Sequence, residues 1–209
     1  MVAATKPGSK LPDEWSPNQI AKRDHIVKST ARLMTRDGVK ACTARAVSGA
    51  SDISTSALHY YFNDLDEINE LAFAYIARSF FSALDAIAEE SANPTNALWN
   101  VACGYLSRGT DVGESVQEHK RAPLLWFEFH AECMRNGKLD LVRKLSKIGA
   151  DLFEGLLRDL DVDDAPAASE ALYCALLGAT VRNSLLERPV EDFVEEIFAA
   201  QQLPLPPGR

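Results

Sequence analysis

Apolar residues recur every three to four positions along most of this chain, a spacing that predicts amphipathic helices. The longest stripe follows Asp64 and implies one helix of about 25 residues. Its members are Ile68, Leu71, Ala72, Tyr75, Ile76, Phe80, Ala83, Leu84 and Ile87. No segment shows sustained period-two alternation with β-branched residues, so no strands are predicted. The fold is expected to be all-α.

Residues with capping chemistry divide this pattern into separate helices. Ser16, Pro17 and Gln19 form a capping box with proline at the first helical position, and Gly38 supplies the stop. Thr43 and Ser54 then cap two short helices, the second ending near residue 61. Further helices are predicted over residues 94–107, 122–136, 138–160, 166–187 and 190–201, with a polar segment at 109–118.

The composition is that of an ordinary soluble protein, with 46% hydrophobic and 25% charged residues. The longest uncharged apolar run, residues 171–181, is shorter than the roughly 18 residues that cross a bilayer, so no membrane span is predicted. Lys6 and Lys10 are not followed by an apolar segment, which favours a disordered tail over a signal peptide. A cytoplasmic protein is expected.

The cysteines are far apart in sequence: Cys42, Cys103, Cys133 and Cys174. They include no C-x-x-C pair, and no histidine lies at the spacing of a zinc site. Buried reduced thiols are expected, and a metal site or a disulfide is the alternative. No cofactor and no bound metal are predicted.

Charge is distributed unevenly along the chain. Residues 1–62 contain nine lysines and arginines against five aspartates and glutamates, a net charge of +4. The other 147 residues must then carry −12 to give the overall −8. This asymmetry suits a basic N-terminal region that faces a polyanion and an acidic remainder that does not.

The first 71 residues carry a pattern of spaced residues: Arg23, Ile26, Leu33, Gly38, Thr43, Val47, Ile53, Ser54, Ala57, Leu58, Tyr61, Phe62, Asp64, Asp66 and Ile68. This pattern resembles the N-terminal domain of the tetracycline-repressor (TetR) family. The resemblance implies a helix-turn-helix DNA-binding domain over residues 16–62 and a helical ligand-binding and dimerisation domain over 63–202. Disordered tails are expected at residues 1–15 and 203–209.

The chain departs from the family pattern at two places. Ser48 replaces the usual alanine, and the turn reads Ser51, Asp52, Ile53 where the family has Ala-Gly-Val. Aspartate tolerates a positive φ better than most residues, so a turn is still predicted. Leu65 stands where the family has lysine, which removes a familiar phosphate contact.

A helix-turn-helix places the N-terminal part of its second helix against base edges and its first helix across the DNA backbone. Hydroxyl groups on the first turn of the second helix are therefore candidates for base or phosphate contacts, and basic residues nearby for phosphate contacts. The predicted DNA-binding residues are Thr43, Arg45, Ser54, Thr55, Ser56, His59, Tyr60, Lys22 and Lys40. The alternative is that these side chains only form a solvated surface.

Binding to duplex DNA implies a homodimer that reads two half-sites of a palindromic operator. The resemblance puts the dimer interface on the last two long helices, whose apolar residues form stripes on more than one side. The predicted interface residues are Phe153, Leu156, Leu160, Leu172, Leu176, Ala179 and Leu186. A purely intramolecular core is the alternative.

The resemblance also implies a pocket for a small-molecule effector. Aromatic walls with one or two polar groups would suit a largely apolar ligand that carries a polar handle. The predicted lining residues are Phe73, Ile76, Phe80, Trp99, Tyr105, Trp126, His130 and Cys133. The alternative is that they belong to a plain hydrophobic core.

These patterns predict a dimeric regulator of transcription, by the family's commoner habit a repressor, which the effector releases from DNA through the fourth helix. The alternative is a helical protein-interaction or ligand-binding protein with weakened or lost DNA binding. An enzyme is not expected, because the chain contains no Glu-x-x-His pair and no nucleophile elbow.

Overall fold

The computed structural model of the chain describes residues 15–108, 122–186 and 188–208, and these ranges contain helices and no strand. The all-α prediction is confirmed for this part of the chain. The α-helices are α1 (Pro17–Asp37), α2 (Ala44–Ala50), α3 (Thr55–Tyr61), α4 (Leu65–Glu89), α5 (Pro94–Arg108), α6 (Ala122–Arg135), α7 (Leu139–Arg158), α8 (Ala165–Leu186) and α9 (Val190–Ala200). The predicted polar segment at 109–118 lies outside the described residues.

The predicted boundaries of α1 are confirmed by its capping contacts. The Gln19 amide donates to Ser16 Oγ at 3.4 Å, and the Ser16 amide donates to Gln19 Oε1 at 2.9 Å. Gly38 ends the helix with φ 88° and ψ 169°, a conformation that only glycine adopts readily. A short 3₁₀ helix, Val39–Ala41, follows and leads into α2.

The chain divides into two compact units between Ile76 and Ala77, within α4. We call the described residues up to Ile76 the head and those from Ala77 onward the body. The sequence placed this boundary at residues 62 and 63. The compact unit of the head also includes roughly the first three turns of α4, where Glu67 pairs with Arg23.

The head has a small apolar core. Ile26 and Met34 of α1, Val47 of α2 and Leu58 of α3 are all at most 3% exposed. α1 packs against α2, and α2 packs against α3. The first helix of the predicted helix-turn-helix, α2, is therefore packed between α1 and the second helix, α3.

The body has a larger core with many aromatic residues. α7 packs chiefly against α8, while α5 contacts α7, α8 and α9. The largest fully buried side chains in this core are Leu84, Leu98, Leu106, Phe153, Leu157, Leu172, Leu176 and Phe198. Gly149 of α7 lies in a crowded part of the body. A Cβ at this position would lie 2.8 Å from the Tyr173 ring and 2.9 Å from the Phe81 ring.

The segment after α9 is folded, which corrects the predicted disordered tail at 203–209 for the residues described. Gln202 turns the chain with φ 56°, and the Leu203 amide donates to the Phe198 carbonyl at 2.9 Å. The Leu203 side chain is 8% exposed, and Leu205 packs partly against the body core. The leucines on either side of Pro204 therefore hold this segment against the body. Residues 1–14 of the predicted N-terminal tail lie outside the described residues.

Among the described helices, α4 is long and apolar enough, by length and composition, to cross a membrane. The sequence predicted no such segment, because charged residues interrupt this helix and the longest uncharged apolar run in the chain, residues 171–181, is too short. A core helix of a soluble protein meets the same criteria, and in the body Phe81 and Leu84 of α4 are buried in the core cluster. Arg78 and Asp85 of the same helix are exposed and would be costly at bilayer depth.

The four cysteines differ in exposure. Cys42 and Cys133 are buried and Cys103 is half-buried, whereas Cys174 is exposed. Burial, reinforced by the nearby Asp37 carboxylate, raises the pKa of the Cys42 thiol to about 11. The expectation of buried thiols is therefore wrong for Cys174. No His/Cys/Asp/Glu group suited to a metal ion occurs among the described residues.

Candidate nucleic-acid interface

Both short helices of the helix-turn-helix begin at a hydroxyl cap. Thr43 Oγ1 accepts from the Ala46 amide at 3.3 Å at the start of α2, and Ser54 Oγ accepts from the Ala57 amide at 3.2 Å at the start of α3. Each cap satisfies an amide that has no partner within the helix. The predicted starts of α2 and α3 are confirmed.

The turn between α2 and α3 is closed by the residues that depart from the family pattern. The Ser48 hydroxyl donates to the Ile53 carbonyl, while the Ile53 amide donates back to the Ser48 carbonyl at 3.2 Å. The Ser51 hydroxyl donates to the Val47 carbonyl at 2.8 Å. Asp52 occupies the left-handed position with φ 51°, as the sequence predicted. Two serines therefore supply hydrogen bonds that alanines at these positions would lack.

The predicted DNA-binding side chains lie on the exposed surface of the head. Lys22 is half-buried, and the other members of the set are exposed: Lys40, Thr43, Arg45, Ser54, Thr55, Ser56, His59 and Tyr60. Leu58, between His59 and Ala57 in sequence, is 3% exposed and faces the core. The hydroxyls of Ser54 and Ser56 lie 3.0 Å apart. α3 thus presents exposed hydroxyl, imidazole and phenol groups around its buried apolar anchor.

Contacts with α1 hold the C-terminal end of α3. Gln19 Nε2 donates to the Tyr60 hydroxyl, although Tyr60 stays 51% exposed. The Trp15 ring packs edge-on against Tyr61 at a centroid distance of 6.0 Å. Trp15 is therefore packed, although the sequence assigned it to a disordered tail.

Arg23, which the sequence showed only as a match to the family pattern, makes contacts that join α1 to α3 and α4. Its guanidinium pairs with Glu67, with Nη2 and Oε1 2.6 Å apart. Its Nε also donates to the Tyr61 carbonyl at 3.5 Å. An arginine on α1 whose partner lies 44 positions away gives no local sequence signal, so only the fold reveals the pair.

The predicted ligand-binding residues are distributed over both units. Phe73 is buried and Ile76 is half-buried in the head. In the body, Trp99 packs against Phe198 at 5.5 Å, and Tyr105 packs against Phe80 at 5.5 Å. Trp99, Tyr105 and Phe80 therefore take part in the hydrophobic core of the body, which is the alternative that the sequence left open.

Tyr105 is surrounded by other aromatic rings of the body. It contacts Phe153 at 6.1 Å and Tyr173 at 5.9 Å between ring centroids. Burial raises the pKa of Tyr105 well above its usual value and that of Tyr173 to about 12. Both phenols are neutral hydrogen-bonding groups at physiological pH.

On α6, Trp126 and His130 form a half-buried pair with ring centroids 5.5 Å apart. Cys133 belongs to the buried side of the same helix with Leu125 and Phe129, each 4% exposed. Desolvation by burial lowers the pKa of His130 from its usual 6.5. The pair therefore combines an aromatic surface with an imidazole that is mostly neutral at pH 7.

Most of the predicted dimer-interface residues are buried within the single chain. Phe153, Leu172 and Leu176 are 0% exposed in a single chain, and Leu156 and Ala179 are 7% exposed. These side chains have almost no surface left for a second subunit, because they fill the core between α7, α8 and their neighbours. Leu160 is half-buried against the same core, and Leu186 alone is well exposed, at 44%.

The exposed face of α8 contains apolar residues that the sequence prediction omitted. Val181 is 45% exposed and Leu185 is 74% exposed. Together with the exposed Cys174 and Gly178 they lie four, three and four positions apart, which places them on one face of the helix. The signal was present in the sequence, but it was hidden by an equally apolar stripe on the buried face.

No protein-family model and no curated protein matches this sequence. Solved structures do match it. A protein described as a transcriptional regulator from Streptomyces coelicolor A3(2) aligns with a TM-score of 0.68 at 17% identity, covering 86% of this chain and 98% of that one. A TetR-family transcriptional regulator from Cytophaga hutchinsonii aligns with a TM-score of 0.67 at 14% identity, covering 90% and 98%.

The multidrug binding protein EbrR, solved in complex with proflavin, aligns with a TM-score of 0.63 at 19% identity. The alignment covers 86% of this chain and 99% of EbrR. These structures agree with the sequence pattern of the first 71 residues and extend the agreement over most of the chain. The chain therefore has the fold of the TetR family of transcriptional regulators.

Proposed function

We propose that this protein is a dimeric transcriptional regulator, a repressor in its simplest form, that binds a palindromic operator and is released by a small-molecule effector. The observation that carries the proposal is the α2–α3 unit, which is anchored by Val47 and Leu58 and turns a polar, exposed face outward. We place the protein in the cytoplasm, where an operator would be accessible, and assign it no enzymatic activity.

On this proposal α3 enters the major groove and α2 crosses the backbone. Thr55 and Ser56 on the first turn of α3 contact base edges, and Arg45 on α2 contacts a phosphate. The uneven charge supports this orientation, because the first 62 residues carry +4 while the rest of the chain carries −12. A polyanion is attracted to the first region and repelled by the second.

The decisive experiment is selection of bound duplexes from a random DNA pool. The expected result is a palindrome whose half-sites lie roughly 34–36 Å apart, since a two-fold dimer reads successive major grooves. The logarithm of the affinity for that duplex should fall linearly with the logarithm of the salt concentration. A protein that has kept the fold as a protein-interaction module would enrich no duplex and show no such dependence.

Two substitutions separate backbone contacts from base contacts. Arg45→Ala should weaken binding to all sequences alike and reduce the salt slope by about 1, whereas Thr55→Ala should change the preferred base at one position. Arg135→Ala removes one exposed positive charge from the body and serves as the control. If Arg45→Ala and Arg135→Ala behave alike, α2 does not lie on the DNA.

We infer that dimerisation uses the exposed face of α8 around Val181 and Leu185. Of the exposed large hydrophobic side chains among the described residues, three lie within six positions on this helix: Val181, Leu185 and Leu186. Val181 and Leu185 are four positions apart and therefore lie on one face of the helix, where exposed apolar groups suit a subunit contact. Leu185→Glu should dissociate the dimer in sedimentation analysis. Met134→Glu, at a residue 64% exposed on α6, should leave it intact.

We propose that the effector binds in the body near the half-buried Trp126 and His130. An indole face and a neutral imidazole suit a largely apolar molecule with one polar group. The complex of EbrR with proflavin supports a planar aromatic molecule as the first probe. A 100-fold loss of operator affinity on effector binding corresponds to about 2.7 kcal/mol of coupling. Unchanged operator affinity across a broad panel of apolar metabolites and dyes would remove effector release from the proposal.

A further inference from the structure

A junction in the head joins α1, the end of α3 and the first turn of α4. It consists of Trp15, Arg23, Tyr61, Phe62, Asn63 and Glu67. We propose that Arg23 and Glu67 are positioning residues that set the orientation of α3, and that DNA affinity depends on their pairing. The proposal rests on the DNA-binding function proposed above.

Arg23 is held in its place from several directions. Its guanidinium lies 4.7 Å from the centroid of the Phe62 ring and 5.4 Å from that of Trp15. Its Nε donates to the carbonyl of Tyr61, the last residue of α3. A cation at the C-terminus of a helix is favourable because the final carbonyls have no helical partners. Arg23 thus binds α3 at its end.

Glu67 uses both carboxylate oxygens to complete the junction. Oε1 accepts from Arg23 Nη2 at 2.6 Å, whereas Oε2 accepts from the Asn63 amide at 2.8 Å and from Asn63 Nδ2 at 3.0 Å. The Glu67 amide in turn donates to Asp64 Oδ1 at 2.8 Å. One carboxylate therefore ties α1 to the residues that link α3 with α4.

The two ends of α3 are consequently fixed by different contacts. The Ser48 and Asp52 turn holds the N-terminal end, while the Arg23–Glu67 pair holds the C-terminal end, assisted by the bond from Gln19 to Tyr60. α3 has only seven residues, so a small rotation at either end moves its reading face. Misplacement of about 1 Å is enough to lose contacts whose geometry is this strict.

The sign of the charge makes Glu67 the diagnostic residue. Removing a negative charge from a DNA-binding surface should by itself strengthen binding to a polyanion. If Glu67 positions α3, removing its charge should weaken binding. The Arg23 and Glu67 side chains are 24% and 29% exposed, so the pair is shielded enough for its geometry to matter.

The test compares Glu67→Gln with Asp37→Asn, which removes one negative charge from an exposed pair in the same unit. Affinity for the selected duplex is measured at fixed salt, with the folded fraction of each variant determined by circular dichroism. We expect Glu67→Gln to bind about tenfold more weakly and Asp37→Asn to bind as tightly as the wild type or more tightly, with similar salt slopes. Equal or tighter binding by folded Glu67→Gln would overturn the proposal.

Two more variants test whether the geometry of the Arg23–Glu67 pair matters and whether its two residues act together. Arg23→Lys retains the charge but loses the planar fork, so it should bind several-fold more weakly although its electrostatics are unchanged. The double variant Arg23→Gln with Glu67→Gln should bind no more weakly than Arg23→Gln alone, because the pair acts as a unit. Additive losses would overturn the proposal.

An absence of DNA binding can be distinguished from an absence of the positioning role. If the wild type selects no duplex, DNA binding itself is wrong, and hydrogen exchange of the α3 amides then tests the positioning role directly. Faster exchange in Glu67→Gln than in Asp37→Asn supports the positioning role. Equal exchange rates would overturn it.

Discussion

The head and the body are stabilised by different kinds of contact. In the head, side-chain hydrogen bonds fix the helix ends and the turn, through Ser16, Thr43, Ser48, Ser54 and Asp64. In the body, aromatic rings fill a core around Gly149, and Tyr105 is surrounded by rings. The head should therefore be sensitive to the loss of single polar atoms, and the body to changes of volume.

The largest effect is expected from Phe153→Ala in the body. Phe153 is 0% exposed and contacts both Tyr105 and Tyr173. Its truncation should lower the free energy of unfolding by about 3–5 kcal/mol, since it loses apolar burial and leaves a cavity. Urea unfolding followed by circular dichroism measures the change. A loss below about 1 kcal/mol would mean that the core collapses to refill the site and is less rigid than the close ring contacts suggest.

Enlarging the smallest residue of the same core should also destabilise it. Gly149→Ala would place a Cβ 2.8 Å from the Tyr173 ring, and we expect a cost of about 1–3 kcal/mol. Gly155→Ala on the same helix has no atom within 4 Å of the new Cβ and should stabilise by about 0.5–1 kcal/mol. Thermal unfolding of the two variants should show melting temperatures that shift in opposite directions. Equal shifts would show that helix propensity outweighs packing.

In the head, removal of one hydroxyl should lower stability where that hydroxyl closes the turn between α2 and α3. Ser48→Ala deletes the donor to the Ile53 carbonyl and should cost about 1 kcal/mol in stability. Ser56→Ala deletes an exposed hydroxyl 3.0 Å from Ser54 Oγ and should leave stability nearly unchanged. Chemical denaturation of both variants tests the difference. If neither changes stability, the hydrogen bonds of the head are less important than its small apolar core.

The smallest effect is expected from the pH dependence of His130. Burial lowers its pKa below 6.5, so the unfolded chain binds a proton more readily than the folded chain. The contribution of His130 to the free energy of unfolding is therefore fully present above pH 6.5, and it is lost as the pH falls below that value. His130→Phe should reduce the difference in melting temperature between about pH 7.5 and about pH 5.5. An unchanged difference would assign the acid sensitivity to other groups.

The sequence predicted the helices of this fold well because their boundaries depend on local chemistry. Ser16, Gln19 and Gly38 delimit α1 through contacts with near neighbours, and the positive φ of Asp52 follows from its place in the turn. The exposed positions of Ser56 and Tyr60, each two positions from the buried Leu58, also follow from helical periodicity.

The remaining features depend on residues far apart in the chain. Both faces of α8 are apolar, so periodicity alone did not tell the buried Leu172 and Leu176 from the exposed Val181 and Leu185. The Arg23–Glu67 pair spans 44 positions. The fold of residues 203–208 was also missed, because a proline-rich composition masked the leucines that hold the segment down.

The unequal accessibility of the thiols has a practical consequence. Cys42 is buried with a raised pKa and Cys133 is buried, so a maleimide dye should react first at the exposed Cys174 of the unmodified protein. Cys174 lies on the face of α8 that we assign to the subunit contact. The rate of its modification should then follow the exchange between dimer and monomer, at concentrations below the reach of sedimentation, without any engineered label.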